Sequence, residues 1–315
     1  MEDYPKNLAE LESRFSDEAA CRAYLVGLRW PEGVVCPRCG CAQTWVTKRG
    51  LLVCSLCQYQ ASVTAGTIFE GTRKPLTMWF RAIWWVCAQK NGASALGLQQ
   101  ILGLGSYKTA WTWLHKLRRA MVRHGRDRLS GRIEVDETFV GAIEEGHIGR
   151  QHGKKAMIIV AAQEDGRGIG RIRMKVIDGA SQANLHGFIA ESVVPGSTVI
   201  TDGLKVYRNM DKLGYAHEYR VVMKSQETAS DLLPRVHRVV SLLKRWLMGT
   251  HQGAVSREHL GYYLDEFTFR FNRRTSRSRG KLFYRLLQQA VAIEPTHYDA
   301  MIKHIRGRKA RSHTI

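Results

Sequence analysis

Apolar residues change their spacing once along this chain, near Gly131. Before that point they recur every three or four residues, as on one face of a helix. After it, short apolar runs alternate with glycine-rich turns, which is typical of strands. The helices predicted before Gly131 cover residues 7–28 (as one or two helices), residues 75–90, residues near 96–102 and a stretch that begins after Ser106.

The part of the chain after Gly131 is predicted to mix strands and helices. Strands are expected at residues 133–140, 155–162, 171–177 and 198–201. Helices are expected at residues 181–192, 204–213, 232–248, 256–273 and 281–292. Three strands, a helix, a further strand and a helix predict a mixed sheet in an α/β arrangement.

Four cysteines stand in two pairs within the first part. Cys36 and Cys39 form one C-x2-C pair, and Cys54 and Cys57 form the other. This spacing is a zinc signature, because each turn offers two thiolates to one tetrahedral ion. Strands at residues 44–47 and 51–54 would complete the hairpin of a zinc ribbon. An iron–sulfur cluster is the alternative use of four such thiolates.

The other three cysteines are given ordinary roles. Cys21 and Cys87 lie in helical, apolar stretches and are expected to be buried. Cys41 could compete as a metal ligand, but it lies outside the turn geometry. The chain shows neither a secretory leader nor an apolar run of about 18 residues, so a cytoplasmic location with reduced thiols is expected.

The charge balance of the 315-residue chain is strongly basic. Lys and Arg number 48 against 28 Asp and Glu, which gives a formal net charge of +20. Such an excess attracts phosphate backbones and makes binding sensitive to salt. Nucleic acid is therefore the expected partner, and a membrane or a small-molecule substrate is not expected.

The two helices before residue 121 predict a helix-turn-helix. A glycine-containing turn joins them, and the second helix carries a polar, mostly basic face. The residues predicted to contact DNA from this face are Lys108, Thr112, Lys116, Arg119 and Arg123. The alternative is an ordinary helical hairpin whose basic face is solvated.

Two aspartates in the second part are candidate metal ligands. Asp136 lies inside a predicted strand, where aspartate is unfavourable, and Asp202 ends another strand before a glycine. Carboxylates on adjacent strands suit Mg²⁺, which is held by one or two of them together with substrate phosphate. Two such ions can hold the attacking and leaving oxygens of a phosphoryl displacement. The alternative reading makes each aspartate a turn or cap residue.

A third ligand is expected from the predicted helix at residues 256–273. Glu266 shares one flank of that helix with Arg270 and Arg273, whereas Asp265 and Asn272 lie on the other. Glu266 and Asn272 are the two candidates. Arg270, Arg273 and Arg274 are expected to face phosphate, and the alternative is a solvated acid that pairs with Arg270.

Taken together, these motifs resemble a known family. They are Cys-Pro-Arg-Cys-Gly at 36–40, Val-Asp-Glu-Thr-Phe-Val-Gly at 135–141, Thr-Asp-Gly at 201–203 and the segment 263–274. The chain is similar, from about residue 10 to residue 292, to the DDE-type transposases of bacterial insertion sequences related to Merlin elements (ISXO-type). His237 matches a histidine of that family, and we interpret it as an ordinary surface or core residue.

The resemblance implies a fold, a reaction and partners. The fold is an RNase H-like mixed sheet with flanking helices, preceded by a small zinc ribbon and a helix-turn-helix region. Asp136 and Asp202 match the first two catalytic acids, Glu266 or Asn272 matches the third, and two Mg²⁺ are expected beside the structural zinc. The implied partners are terminal inverted repeats and target DNA, bound by a homo-oligomer in the bacterial nucleoid.

The predicted domains follow from these assignments. They are N-terminal helices at 1–29, the zinc ribbon at 30–72, the helix-turn-helix region at 73–128, the catalytic domain at 129–292 and a basic tail at 293–315. The chain is thus expected to be a DNA transposase. A non-catalytic DNA-binding regulator and a structure-specific nuclease on the same fold are the alternatives.

Overall fold

The computed structural model describes residues 2–123, 125–141, 155–220, 229–253 and 255–303. The chain forms two compact units, Met1–Arg123 with Ser276–Ile315, and His124–Thr275. The helices, in chain order, are α1 (Leu8–Arg14), α2 (Glu18–Arg29), α3 (Leu76–Ala88), α4 (Ala95–Leu102), α5 (Tyr107–Ala120), α6 (Gln182–Ser192), α7 (Ala229–Leu232), α8 (Pro234–His251), α9 (Leu260–Asn272), α10 (Arg279–Ala290) and α11 (Tyr298–Lys303). The strands are β1 (Thr44–Val46), β2 (Leu52–Cys54), β3 (Gln60–Ala61), β4 (Arg132–Val140), β5 (Ala156–Asp165), β6 (Gly168–Ile177), β7 (Thr198–Thr201) and β8 (Ala216–Tyr219).

The first unit packs helices from both ends of the chain around aromatic side chains. The ring of Phe283 on α10 lies 5.6 Å from that of Phe80 and 5.8 Å from that of Trp84, both on α3. Gly280 permits a close approach, because a Cβ there would stand 1.7 Å from the carbonyl oxygen of Pro5. The N-terminal segment and α10 therefore pack closely at Gly280, where a side chain could not be accommodated.

The zinc-ribbon segment of this unit is a small antiparallel sheet in the order β1-β2-β3. The predicted hairpin is confirmed, and Val46 pairs with Leu52 beside its turn. Strand β3 was not predicted, because its two residues, Gln60 and Ala61, carry no periodic signal.

The second unit is a five-stranded sheet in the order β6-β5-β4-β7-β8. Strands β6, β5 and β4 are antiparallel neighbours, whereas β7 and β8 run parallel to β4. This is the mixed sheet that the sequence pattern predicts, and its strand order agrees with the RNase H-like fold that the resemblance implies. Alternate residues of β4 and β5 face opposite layers: Val160 packs under α8 and α9, and Val135 packs under α6.

Several boundaries differ from the predictions. The helix expected at residues 204–213 is two short 3-10 turns, and β8 follows as a polar edge strand whose pattern gave no strand signal. The chain leaves the second unit at Thr275, so α10 packs within the first unit although the predicted catalytic domain extends to residue 292. Of the predicted tail at 293–315, α11 is helical and residues 304–315 lie outside the described residues. Among the described helices, none combines the length and apolar character that crossing a membrane requires.

Candidate functional site

The four paired thiols converge on one point. The Sγ atoms of Cys36 and Cys57 are 3.6 Å apart, those of Cys39 and Cys54 are 3.5 Å apart, and all four lie within 4.8 Å of one another. Zn–S bonds of about 2.3 Å in a tetrahedron require sulfurs roughly 3.8 Å apart. The thiols therefore fit a structural zinc ion.

Backbone turns prepare these thiols for metal. Gly40 has a φ of 73°, as its place after the first pair predicts, and Gln58 adopts the same left-handed region after the second pair with a φ of 58°. A hydrogen bond from the Cys57 backbone N–H lowers the pKa of the Cys54 thiol to about 6. Cys41 stands apart from the cluster, with its Sγ 4.0 Å from the Ser55 hydroxyl.

The parallel register of β4 and β7 brings the two aspartates to one place. Glu134 is level with Ile200. Strand β7 ends at Thr201, so Asp202 is the first residue after it, and continuing the register by two residues sets it level with Asp136. After the larger effect of burial, the charges of both aspartates raise the pKa of Tyr207, so both lie near its hydroxyl. Asp136 has the parity of Glu134 and lies on the sheet face that α8 covers, and Asp202 lies at the strand end beside it. We call this the carboxylate face, formed by Asp136 and Asp202.

Local hydrogen bonds orient both carboxylates. Oδ1 of Asp136 accepts from the backbone N–H of Glu137 at 2.9 Å, and Oδ1 of Asp202 accepts from that of Leu204 at 3.1 Å. The buried Tyr207 donates its hydroxyl to Glu137 at 2.8 Å. Burial, followed by the charges of Glu137, Asp136 and Asp202, raises the pKa of Tyr207 well above its usual value. These acids therefore surround a hydroxyl that stays protonated.

His237 lies beside the first aspartate, which the sequence analysis did not predict. Its Nε2 is 3.7 Å from Oδ2 of Asp136. Glu134 fixes this approach, since its buried carboxylate accepts from the backbone N–H groups of Arg235 and Val236 at 2.7 and 2.9 Å. A side chain of β4 thus caps the N-terminus of α8, and His237 follows within the first turn. The only sequence signal was the match to a family histidine.

The two predicted third ligands, Asn272 and Glu266, make contacts on β6 and α9. Asn272 bonds both ends of its carboxamide to the backbone of Ile172 on β6, at 2.7 and 3.2 Å. Strand β5 separates β6 from β4, so about 10 Å of sheet lies between this contact and β4. Glu266 is buried on α9, where Arg270 donates to its Oε1 at 2.8 Å.

The donor atoms of the carboxylate face suit a hard divalent cation, because carboxylate oxygens are what Mg²⁺ and Mn²⁺ prefer. Among the described residues, the cysteine cluster is the one group of three or more His, Cys, Asp or Glu side chains whose possible ligand atoms all lie within 4.8 Å of one another. Asp136, Asp202 and His237 are thus spaced more widely than the ligands of a closed site. That spacing fits ions that keep further positions for water or substrate oxygens.

The basic face predicted on α5 is only partly exposed. Lys116 is buried, and its ammonium donates to the carbonyl of Ile68 at 3.0 Å, so the prediction that it lies on an exposed face is wrong. Thr112 turns its hydroxyl back to the carbonyl of Lys108 at 2.7 Å. Lys108 and Arg123 are exposed, Arg119 is half-buried, and their contact with DNA stays a prediction.

The arginines predicted to face phosphate, at the C-terminal end of α9 and just after it, also make contacts within the protein. Arg270 pairs with Glu266, and the guanidinium of Arg273 lies 4.2 Å from the centre of the Phe269 ring. Arg274 donates to the carbonyls of Gly170 and Ile169 on β6. These contacts give each arginine a structural role beside any contact with DNA.

Comparison with known proteins identifies both parts of the chain. Residues 128–272 match the family model described as "ISXO2-like transposase domain", and residues 16–60 match "Transposase zinc-ribbon domain". A relative from Halobacterium salinarum, described as "Uncharacterized protein in transposable element ISH50", is 26% identical over 289 residues, which are 85% of this chain and 94% of that protein.

Solved structures with some likeness include a Mos1 transposase paired-end complex with the left transposon end. It is 12% identical, covers 74% of this chain and 81% of that chain, and has a TM-score of 0.30. A simian T-cell lymphotropic virus intasome is 14% identical over 61% of this chain and 70% of that chain, with a TM-score of 0.32. These structural similarities are too weak to support an assignment. The assignment to the transposase family rests on the two family-model matches.

Proposed function

Since the chain belongs to the ISXO2-like transposases, with a transposase zinc ribbon ahead of the catalytic domain, we propose that it cuts and joins DNA at the ends of its own insertion sequence. The observation that supports this proposal is the parallel pairing of β4 with β7, whose continuation puts Asp136 and Asp202 at the same end of the sheet, where the charges of both act on Tyr207. The zinc ribbon and α5 bind the terminal inverted repeats, and the chain acts as an oligomer on DNA.

The carboxylate face provides the chemistry. Asp136 and Asp202 would hold two Mg²⁺, and such ions would supply activation of a water for strand cleavage and charge stabilisation at the phosphate oxygens. The hydrogen bonds to Glu137 and Leu204 keep the two carboxylates oriented without substrate. Positioning and charge neutralisation supply most of the rate, and the freed 3′-hydroxyl then attacks target DNA.

His237 is the third group of this site in our proposal. Its distance of 3.7 Å from Asp136 is close to the spacing of two atoms that ligate one ion, whereas Asn272 is engaged with β6 and Glu266 with Arg270. His237→Ala should therefore reduce cleavage about 100-fold. Asn272→Ala should act through stability, and Glu266→Gln tests the acid that the resemblance implies. A larger loss of cleavage in folded Glu266→Gln than in His237→Ala would overturn the choice of His237.

The decisive experiment uses a labelled duplex that carries the inverted repeat flanking the gene. The protein with Mg²⁺ should nick the repeat end and join its 3′-end to a target plasmid, while Asp136→Ala should bind the duplex and leave it intact. Cleavage by Asp136→Ala would refute the proposal. Binding without any nicking by the unaltered chain would favour a DNA-binding regulator, and nicking without joining would favour a nuclease.

A further inference from the structure

The second unit contains a cavity of about 520 Å³ that the proposed reaction does not use. It lies between the end of β4 and the C-terminal half of α8. The side chains that give it its character are apolar, from Phe139, Leu247, Met248 and Val255, and cationic, from Lys155 and Lys244. Its volume is within the range of small-molecule sites, about 300–1,000 Å³.

The cavity and the carboxylate face lie along the same two elements. Lys244 follows His237 by seven residues on α8, which is nearly two helical turns, so both side chains project from the same helix face about 10 Å apart. On β4, Asp136 and the cavity-lining Val140 share one sheet face and are separated by about 13 Å. A strand end held at Asp136 therefore lies within about four nucleotides of the cavity, at about 3.4 Å of duplex axis per nucleotide.

The chemistry of the cavity selects a ligand with an apolar body and an anionic part. Partial burial, followed by the charge of Lys155, lowers the pKa of Lys244. The two ammonium groups therefore repel each other, and a bound anion would remove that repulsion. The apolar wall favours burial of a flat, weakly solvated group. A nucleotide has both features, because its base can leave the stack and its phosphate stays at the entrance.

We propose that this cavity receives one nucleotide flipped out of the DNA near the cleavage point, with its base against Leu247 and Met248 and its phosphate between Lys155 and Lys244. The inference rests on the proposed function, since it needs DNA at the carboxylate face. It adds a base-binding subsite that holds the strand end in register with Asp136 and Asp202. Unstacking would also make the adjoining phosphate accessible.

The test places 2-aminopurine at successive positions within about four nucleotides of the cut in the inverted-repeat duplex. Stacking quenches this base, so one position should show a several-fold rise in fluorescence when the protein binds. Asp136→Ala keeps the duplex uncut during the measurement. Met248→Trp should abolish the rise because it fills the cavity, and it should fold because Met248 is 64% exposed.

A second pair of variants tests the charge. Lys244→Met should weaken binding of the strand end about tenfold and reduce the fluorescence rise, as expected for loss of a phosphate contact that supports a stacked base. Arg245→Met removes a charge from the neighbouring exposed position of α8, which does not line the cavity, and should retain the fluorescence rise.

The outcomes separate this inference from the function on which it rests. The flipped-nucleotide site is wrong, and the transposase proposal stands, if the unaltered protein nicks and joins the repeat but 2-aminopurine fluorescence rises at no position. The same conclusion follows if the fluorescence rises as much with Met248→Trp as with the protein that keeps Met248. If the unaltered protein does not cut the repeat at all, the proposed function itself fails. An equal loss of the fluorescence rise in Lys244→Met and Arg245→Met would also refute the site.

Discussion

The zinc ribbon and the carboxylate face both gather ligand atoms, but they do so over very different distances along the chain. The ribbon takes its four thiols from 22 consecutive residues, and two backbone turns bring them within 4.8 Å of one another. The carboxylate face takes Asp136 from β4 and Asp202 from the residue after β7, and His237 of α8 lies beside it. The possible ligand atoms of these three residues do not all lie within 4.8 Å of one another. The difference is the one expected between a closed structural metal site and the open reactive site that we propose.

The largest expected effect is at the closed site. Cys36→Ser should remove the zinc and unfold the ribbon, because structural zinc contributes roughly 10–16 kcal/mol to such modules. Metal analysis should fall from about one zinc per chain to none, with faster proteolysis in residues 30–72. Cys41→Ser is the matched control and should keep its zinc, since the Cys41 thiol lies outside the cluster. Zinc loss in both variants would contradict the assignment.

The open site should show the opposite behaviour, with lost reaction and an intact fold. Asp136→Ala should reduce strand cleavage at least about 10³-fold, which corresponds to about 4 kcal/mol of barrier, while DNA affinity and thermal stability change little. Cleavage assays and thermal unfolding measure these separately. Asp178→Asn changes an acid whose side chain is 99% exposed, and it should cleave normally. An unfolded Asp136→Ala protein would mean that this residue is structural.

Between these extremes is Glu134, which anchors α8 to the sheet. Glu134→Gln should lower the free energy of unfolding by about 3 kcal/mol, because it breaks a buried ion pair with Arg235 and weakens the cap. Urea denaturation measures this loss. Glu191→Gln alters a surface pair with Lys175, and less than about 1 kcal/mol is expected there. Similar losses in the two variants would show that Glu134 does not anchor the helix.

The smallest effects are expected on α5, where they separate buried from exposed basic residues. Lys116→Met should leave DNA binding unchanged, because its ammonium is already bonded to Ile68. Arg123→Met should reduce the slope of log affinity against log salt by about 1, if this exposed residue contacts phosphate. Binding assays between about 50 and 200 mM salt measure both slopes. An unchanged slope in Arg123→Met would remove that residue from the interface.

The same contrast explains what the sequence could predict. The ribbon was predictable down to its ligands, because C-x2-C turns are local geometry. Strand β4 was predictable from its alternation, and Asp136 stood out as an unfavourable residue within it. The approach of Asp136 and Asp202 depends on the pairing of β4 with β7, which brings together residues 66 positions apart, so the sequence could suggest it but could not establish it.

The contacts that the sequence did not predict depend on packing between distant residues. Lys116 lies on a helix whose buried stripe is wider than its apolar residues indicate, because the long side chain reaches a backbone carbonyl in the interior. His237 reaches Asp136 because Glu134 caps α8, and that contact joins residues about 100 positions apart. Asn272, one of the two predicted third ligands, bonds through its carboxamide to the backbone of Ile172 on the edge strand β6, which the sequence did not predict.

Helix α10 gives the molecule an order of assembly. The sheet-bearing unit occupies one continuous stretch, His124–Thr275, whereas the other unit needs both chain ends, with Phe283 among the rings of α3 and Gly280 against Pro5. During translation the sheet can therefore form before α10, which packs against α3, has been synthesised. A truncated product that stops before Arg279 would contain the complete five-stranded sheet but would lack α10, which packs within the unit that carries the zinc ribbon.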